Sequence, residues 1–208
     1  MLNNNDKYEN DIIKIFPTGI MRKIFFDSFT DDQMDIFHNS KREKSLYNMH
    51  SEDTYILEMS ELKNIKDFCL QGVQDYFSKV IGTGDEVKPY ITQSWLNWTN
   101  NGESHHEHCH GNSIVSGVFY ISTEQEDSID FLRKDIFPNI LIPKEWTILN
   151  SSKCRFFAEE KTLLLFPSNL MHEVVVREGS KTRISLAFNT FFKGTIGSKE
   201  FLNELIIE

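Results

Sequence analysis

Cysteine is scarce: Cys69, Cys109 and Cys154 are the only three, widely spaced, odd in number and without a CxxC pair. That pattern excludes a disulfide scaffold and fits a reducing compartment. Long apolar runs are also missing, and the polar opening Met1-Leu2-Asn3-Asn4-Asn5-Asp6-Lys7 lacks the apolar core of a signal peptide. A soluble, cytoplasmic protein with no membrane partner is the expectation. No block of basic residues occurs, and 22 Lys and Arg against 31 Asp and Glu leave a formal charge of −9. Such a balance argues against a nucleic-acid backbone as partner. Nothing marks a linker either. One domain over residues 1–208 is expected, with a helical support part at about 1–88 and a β core at about 89–197. A chain of this size buries about 70% of its unfolded surface.

What the chain does have is aromatic bulk, with 17 Phe, and one dense histidine segment. Gly102-Glu103-Ser104-His105-His106-Glu107-His108-Cys109-His110-Gly111-Asn112-Ser113 carries four of the seven histidines within six residues. Neutral imidazole offers a lone pair at pH 7, which makes histidine the commonest metal ligand. In extended backbone, side chains two apart share a side, so His108 with His110, or His106 with His108, can reach one cation. Cys109 would point away. A third ligand must come from elsewhere, and His172 in Leu170-Met171-His172-Glu173-Val174 is the candidate. Read blandly, the cluster is a solvated loop, a metal scavenger or a pH-sensitive patch. The second histidine, set between a strand with its proline turn and a later Arg-x-Ser strand, favours a metal centre built by two strands.

Taken in order, residues 11–16 read as a first strand stopped by Pro17-Thr18-Gly19, and residues 20–26 pair with it or follow it. Thr30 and Gln33 have the spacing of a helix start, with Met34, Phe37 and Ile36 turned to the core. Residues 39–54 give no firm element. Ser60 is read as the cap of a stronger helix whose stripe Leu62, Ile65, Phe68, Cys69, Val73, Tyr76, Phe77 and Val80 lies on a sheet and ends at Gly82 and Gly84. Residues 89–98 alternate, Ile91, Gln93, Trp95 and Asn97 on one face and Thr92, Ser94, Leu96 and Trp98 on the other. Asn100-Asn101-Gly102 is a turn. Strands follow at 114–121, where Gly117 allows close approach of a backbone or ligand, and at 128–132. Residues 133–160 are irregular, as a functional loop or lid would be. Residues 162–166 form a buried strand, 173–177 the next, 178–181 a hairpin turn and 182–192 the last long strand, with a short helix over 198–208. Helices first and strands later predict an α+β fold, mainly β: an antiparallel β core with helices on one side.

The last strand adds chemistry. Alternation puts Arg183, Ser185, Ala187 and Asn189 on one face and Ile184, Leu186 and Phe188 on the other. A face of Arg, Ser and Asn fits the inside of a small barrel holding an anion, with Arg183 forking onto a carboxylate and Ser185 adding a donor. For a lone arginine the alternative is a surface salt bridge.

In order along the chain, Trp95-x-Asn97, His108-x-His110, Ser116-Gly117-Val118-Phe119-Tyr120, Leu165-Phe166-Pro167 with His172, Arg183-Ile184-Ser185 and Phe188-Asn189 resemble the 2-oxoglutarate-Fe(II) oxygenases of bacteria and marine phages. That family is distantly related to prolyl 4-hydroxylase. Phe16-Pro17-Thr18 is similar to its opening, and Asn189-Thr190-Phe191 with Lys193-Gly194 to its end. The resemblance implies a double-stranded β-helix, a jelly-roll or cupin-like core, carrying one Fe(II). His108 and His172 would be ligands, and Arg183 the anchor of 2-oxoglutarate, with Ser185 and Asn97 beside it. The reaction implied uses O2, decarboxylates 2-oxoglutarate to succinate and hydroxylates a C–H bond of an unknown substrate, such as a protein or peptide side chain. If the chain is phage-encoded, the host cytoplasm is its compartment.

Two features depart from the wider superfamily. The first pair is His-x-His where His-x-Asp or His-x-Glu is usual, so His110 stands in the carboxylate's place; His105-x-Glu107 with His172 is the alternative set. Gly111 stands where many relatives have proline. A three-histidine cupin-like metalloenzyme that does not use 2-oxoglutarate, and a non-enzymatic phage jelly-roll binding protein, remain competing readings. Trp95, Trp98 and residues 133–160 are candidates to line an entrance. The primary substrate is not readable from the sequence, and a homodimer stays open.

Overall fold

The structure, a computed structural model, describes residues 12–133 and 142–208. Two antiparallel sheets face each other. The larger contains β1 (Met21–Ile24), β2 (Arg42–Lys44), β3 (Met49–Ser51), β4 (Val87–Thr99), β6 (Val115–Ser122), β9 (Thr162–Pro167), β11 (Arg183–Ile196) and β12 (Leu205–Ile207). Its order is β1-β9-β6-β11-β4-β3-β2, with β12 also paired to β11. The smaller sheet runs β5 (His105–His108), β10 (His172–Val174), β7 (Ser128–Leu132), β8 (Lys153–Phe157). Helices α1 (Asp31–Asn39) and α2 (Lys63–Tyr76) pack on the outer face of the large sheet. This is the expected arrangement of a jelly-roll core with helices on one side. No helix among the described residues is long and apolar enough to cross a membrane.

Alternation along the central strands divides the molecule into two cores. Leu96 and Trp98 of β4, Val115 and Phe119 of β6, Leu163 and Leu165 of β9, and Ile184, Leu186 and Phe188 of β11 face the helices. They meet Ile65, Cys69, Val73 and Tyr76 of α2. Val118, Tyr120, Leu164 and Phe166 point the other way and pack on Ile129 and Phe131 of β7. α2 can lie close because Gly72 leaves room; a Cβ there would stand 3.0 Å from Leu163. α1 starts with the expected capping box, the Thr30 hydroxyl accepting from the Gln33 amide and the Gln33 side chain accepting from the Thr30 amide. Its Phe37 is fully buried, with Met34 and Ile36 partly buried beside it.

Several expectations are corrected. Residues 12–16 are irregular and exposed, not a strand, and β1 pairs with β9 instead. Ser60 does not cap α2. It opens a 3-10 turn, Ser60–Leu62, and Leu62 is the N-cap. A π-helical turn, Phe77–Ile81, changes the phase after Tyr76, so Val80 is exposed. Residues 39–54 hold the β2–β3 hairpin. The predicted terminal helix is strand β12, paired with β11. Lys153–Phe157 gives the irregular 133–160 segment a strand, while its part at 134–141 lies outside the described residues. The strand expected over 173–177 shortens to His172–Val174 and forms no hairpin with β11: the two strands sit in different sheets. Finally, a register shift between Asn189 and Thr190 breaks the β4 alternation. Ile91 packs with the helix-side core, not with Gln93 and Trp95.

Candidate metal and co-substrate site

The site is built between the sheets. His108 and His172 are direct cross-strand partners in the β5–β10 pairing, which places their side chains on one face. His110 follows just past the end of β5, its amide bonded to the Ser168 carbonyl at 2.8 Å. The ligand atoms of His108, His110 and His172 all lie within 4.8 Å of one another. Ser168 itself belongs to a buried hydroxyl chain, bonded to Ser113 at 2.7 Å and Ser116 at 2.8 Å, and Ser116 donates to Asn189. That chain ties the His110 loop to the large sheet.

The tautomers are set by the backbone. His108 Nδ1 lies 2.7 Å from the His106 carbonyl, and His172 Nδ1 lies 2.9 Å from the Leu170 carbonyl. A carbonyl only accepts, so both Nδ1 atoms carry the proton and each Nε2 is left with its lone pair. His172 Nε2 stands 3.3 Å from His110 Nε2. With its proton on Nε2, His110 donates to the His172 lone pair; with its proton on Nδ1, it leaves two lone pairs facing one point, as a cation needs. An ion with bonds of about 2.1 Å would hold two cis nitrogens about 3 Å apart. Burial lowers the pKa of His110 to about 3 and of His172 to about 4, and also lowers that of His108. The rings are therefore neutral at pH 7, the state a metal requires.

A register shift in the β5–β10 pairing turns His105 towards the same cavity, where its ring stacks on His108 at 4.4 Å. Its pKa falls to about 3, chiefly through burial and then through His108, His106, His172 and Arg183. Glu107 does not join the cluster: among the described residues the three converging groups are His108, His110 and His172. Cys109 is exposed, as its opposite-face position implies.

Deeper between the sheets, Arg183 of β11 is buried on the face it shares with Ser185. Asn97 lies opposite Ser185 on β4, and it too is buried. The Arg183 guanidinium donates to the Ser128 carbonyl at 3.0 Å and rests 5.2 Å from the centre of the Tyr120 ring. Among the described residues its Nε has no hydrogen-bond partner, nor does the buried Tyr120 hydroxyl. Orphaned buried polar atoms are costly; two together, around a guanidinium with no carboxylate partner among the described residues, mark a place built for an anion. Tyr120 was missed as a site residue. Alternation along 114–121 could have found it, because it shares a face with Ser116 and Val118. Trp95 does line the cavity, its ring 6.0 Å from that of His110. Trp98 is instead fully buried on the helix side, donating to the Phe37 carbonyl, and lines no entrance.

Residues 93–189 match the family model described as Putative 2OG-Fe(II) oxygenase. Over that stretch, 97 of its 208 residues, the chain is similar to the 2OG-Fe(II) oxygenases. Enzymes of this class use iron, 2-oxoglutarate and O2. Solved structures are similar to the chain in fold. One is a 2OG-Fe(II) oxygenase family oxidoreductase from Burkholderia pseudomallei, 11% identical, covering 83% of this chain and 84% of that one, TM-score 0.53. HygX from Streptomyces hygroscopicus, with nickel and 2-oxoglutarate bound, is 10% identical over 83% and 82%, TM-score 0.59. A Pseudomonas putida prolyl-4-hydroxylase is 11% identical over 84% and 92%, TM-score 0.54. No curated protein matches the chain in sequence.

Proposed function

We propose that this oxygenase holds Fe(II) through His108, His110 and His172, and uses it to hydroxylate a C–H bond of its substrate while 2-oxoglutarate is decarboxylated to succinate. The observation that carries this reading is the buried pair of orphans, Arg183 Nε and Tyr120 OH, between the same two sheets as three converging imidazoles and close enough for Arg183 to act on His105. The metal, when bound, supplies open coordination positions for the co-substrate and O2. Arg183 anchors the distal carboxylate of 2-oxoglutarate, Tyr120 and Ser185 donate to it, and Asn97 borders it. Burial pushes the Tyr120 hydroxyl pKa up, so it stays protonated and donates. The Nδ1–carbonyl contacts hold the rings of His108 and His172 in the ligating tautomer. The apolar walls from Phe131, Phe166 and Val118 keep water from the charged co-substrate.

The scattered free thiols support a cytoplasmic setting. Anaerobic titration of the protein with Fe(II) and 2-oxoglutarate tests the reading: a weak visible charge-transfer band should appear and be lost in Arg183→Ala. A third ligand that is neutral, in place of a carboxylate, favours one other outcome. If metal binds but 2-oxoglutarate produces no band and no succinate, the site is a three-histidine metal centre of another kind.

A further inference from the structure

We propose that the substrate is an uncharged, hydroxyl-bearing ring compound, a neutral sugar or glycoside, seated in the cavity beside His110. This deepens the oxygenase reading and rests on it. The cavity measures about 500 Å³ and is bordered by Gly111 and Asn112, which follow His110 in the chain, and by Asn189. Asn189 reaches the His110 loop through Ser116 and Ser168. A molecule in this space lies beside the loop that carries His110, and the volume suits a whole small molecule better than a single side chain.

The chemistry of the wall selects the class. A quarter of the chain is Asp, Glu, Lys or Arg, yet none of the eight described residues that line the wall is. A phosphate, carboxylate or amine would enter without a counter-charge and lose its hydration. The polar groups are the amides of Gln93, Asn112 and Asn189 and the hydroxyl of Thr92. Amides both donate and accept, as sugar hydroxyls do. Tyr55, Tyr90 and Phe191 add aromatic surface, and Tyr55 and Tyr90 are 53% and 37% exposed. Their faces can cover the C–H side of a ring.

The backbone argues against a peptide. Peptides commonly bind by adding a strand to an open edge. Here β4 and β11 are paired to each other at Gln93–Asn189 and Tyr90–Phe191, so the cavity offers side chains, not that edge. The register shift between Asn189 and Thr190 explains the wall's composition, since it lets Thr92 and Gln93 both border the cavity.

The test uses full-length protein loaded with Zn(II) and 2-oxoglutarate, a diamagnetic stand-in that permits saturation-transfer NMR. The probes are neutral mono- and disaccharides, their amino and phosphate counterparts, and uncharged tripeptide amides. At least one neutral saccharide should bind saturably through its ring C–H protons, at least tenfold tighter than its charged counterparts. Tyr90→Ala should weaken it at least tenfold without lowering the melting temperature, because that ring is partly exposed. Gln93→Glu should weaken the neutral sugar and admit the amino sugar. Equal or tighter binding of charged sugars, binding of peptides alone, or no saccharide binding overturns the proposal. 2-Oxoglutarate binding, measured in the same samples, separates the two ideas: its loss sinks the oxygenase reading, its persistence without sugar binding sinks only the substrate class.

Discussion

Arg183 concentrates the conflict between folding and function in one side chain. It is buried with its Nε unpartnered, close to a hydroxyl in the same state. Removing a buried, poorly compensated charge relieves a desolvation cost. Arg183→Met should therefore stabilise the ligand-free protein, by about 1–3 kcal/mol in chemical denaturation, while 2-oxoglutarate binding disappears. A variant that is both less stable and still able to bind the co-substrate would contradict the anchor role. Tyr120→Phe separates the terms more finely. Among the described residues its hydroxyl has the Arg183 guanidinium near it but no well-formed hydrogen bond, so stability should change little. A lost hydrogen bond to a carboxylate is worth about 1.5–3 kcal/mol, so the dissociation constant for 2-oxoglutarate should rise roughly ten- to a hundredfold by calorimetry.

At the scale of elements, packing and pairing give sharper tests. Gly117 of β6 sits opposite Phe188 of β11, and a Cβ there would stand 2.2 Å from the Phe188 ring. The close approach foreseen at this glycine is thus made by an aromatic side chain on the helix side. Gly117→Ala should cost about 1–3 kcal/mol, and Phe188→Leu should recover part of it in the double variant. Asp130 of β7 is fully buried and accepts two hydrogen bonds from Arg155 of β8, at 2.7 and 2.8 Å, with Lys153 at 3.3 Å. Arg155, first by its hydrogen bonds, and Lys153 hold the Asp130 carboxyl below its ordinary pKa. A depressed carboxylate stabilises the fold above its unfolded pKa of about 3.9, and that contribution fades as pH drops through the folded value. Asp130→Asn should therefore be less stable than wild type at pH 7, by about 1–3 kcal/mol given that Arg155 can turn to water, and the gap should close below about pH 4.

These elements also show what could be read in advance. Alternation along 183–189 was legible because its two faces are buried and chemically distinct, and 162–166 was legible as a buried strand because it is a short, nearly continuous apolar run. The capping box of α1 was legible because it is local. The β5–β10 pairing was not, since it joins segments 64 residues apart at His108 and His172, although the residues themselves were picked out. The phase of Ile91 was lost to a bulge that no single strand announces. Ser198 to Glu208 looked helical in isolation, yet Leu205–Ile207 pairs with β11, an interaction set by tertiary context.

For the whole molecule, the decisive asymmetry is between the two cores. The helix-side core joins both helices to the large sheet through residues such as Trp98, Phe119 and Phe188, nearly all without exposure. Among the described residues the inter-sheet core has seven buried members and shares its space with histidines, Arg183 and Ser185. Fewer apolar contacts among the described residues hold the small sheet, so it should be the first part to open. A ligand that binds there stabilises by mass action, about 2.7 kcal/mol at a concentration a hundredfold above its dissociation constant. For a domain of this size 1 kcal/mol shifts Tm by about 2–4 °C. Mn(II) with 2-oxoglutarate should thus raise Tm by roughly 5–10 °C. Amide exchange should slow in β5, β7 and β10 far more than in α2. Arg183→Met should remove the 2-oxoglutarate share of that rise and keep the metal's. Uniform slowing across α2 and the small sheet alike would mean that the ligands act on global stability and that the two layers open together.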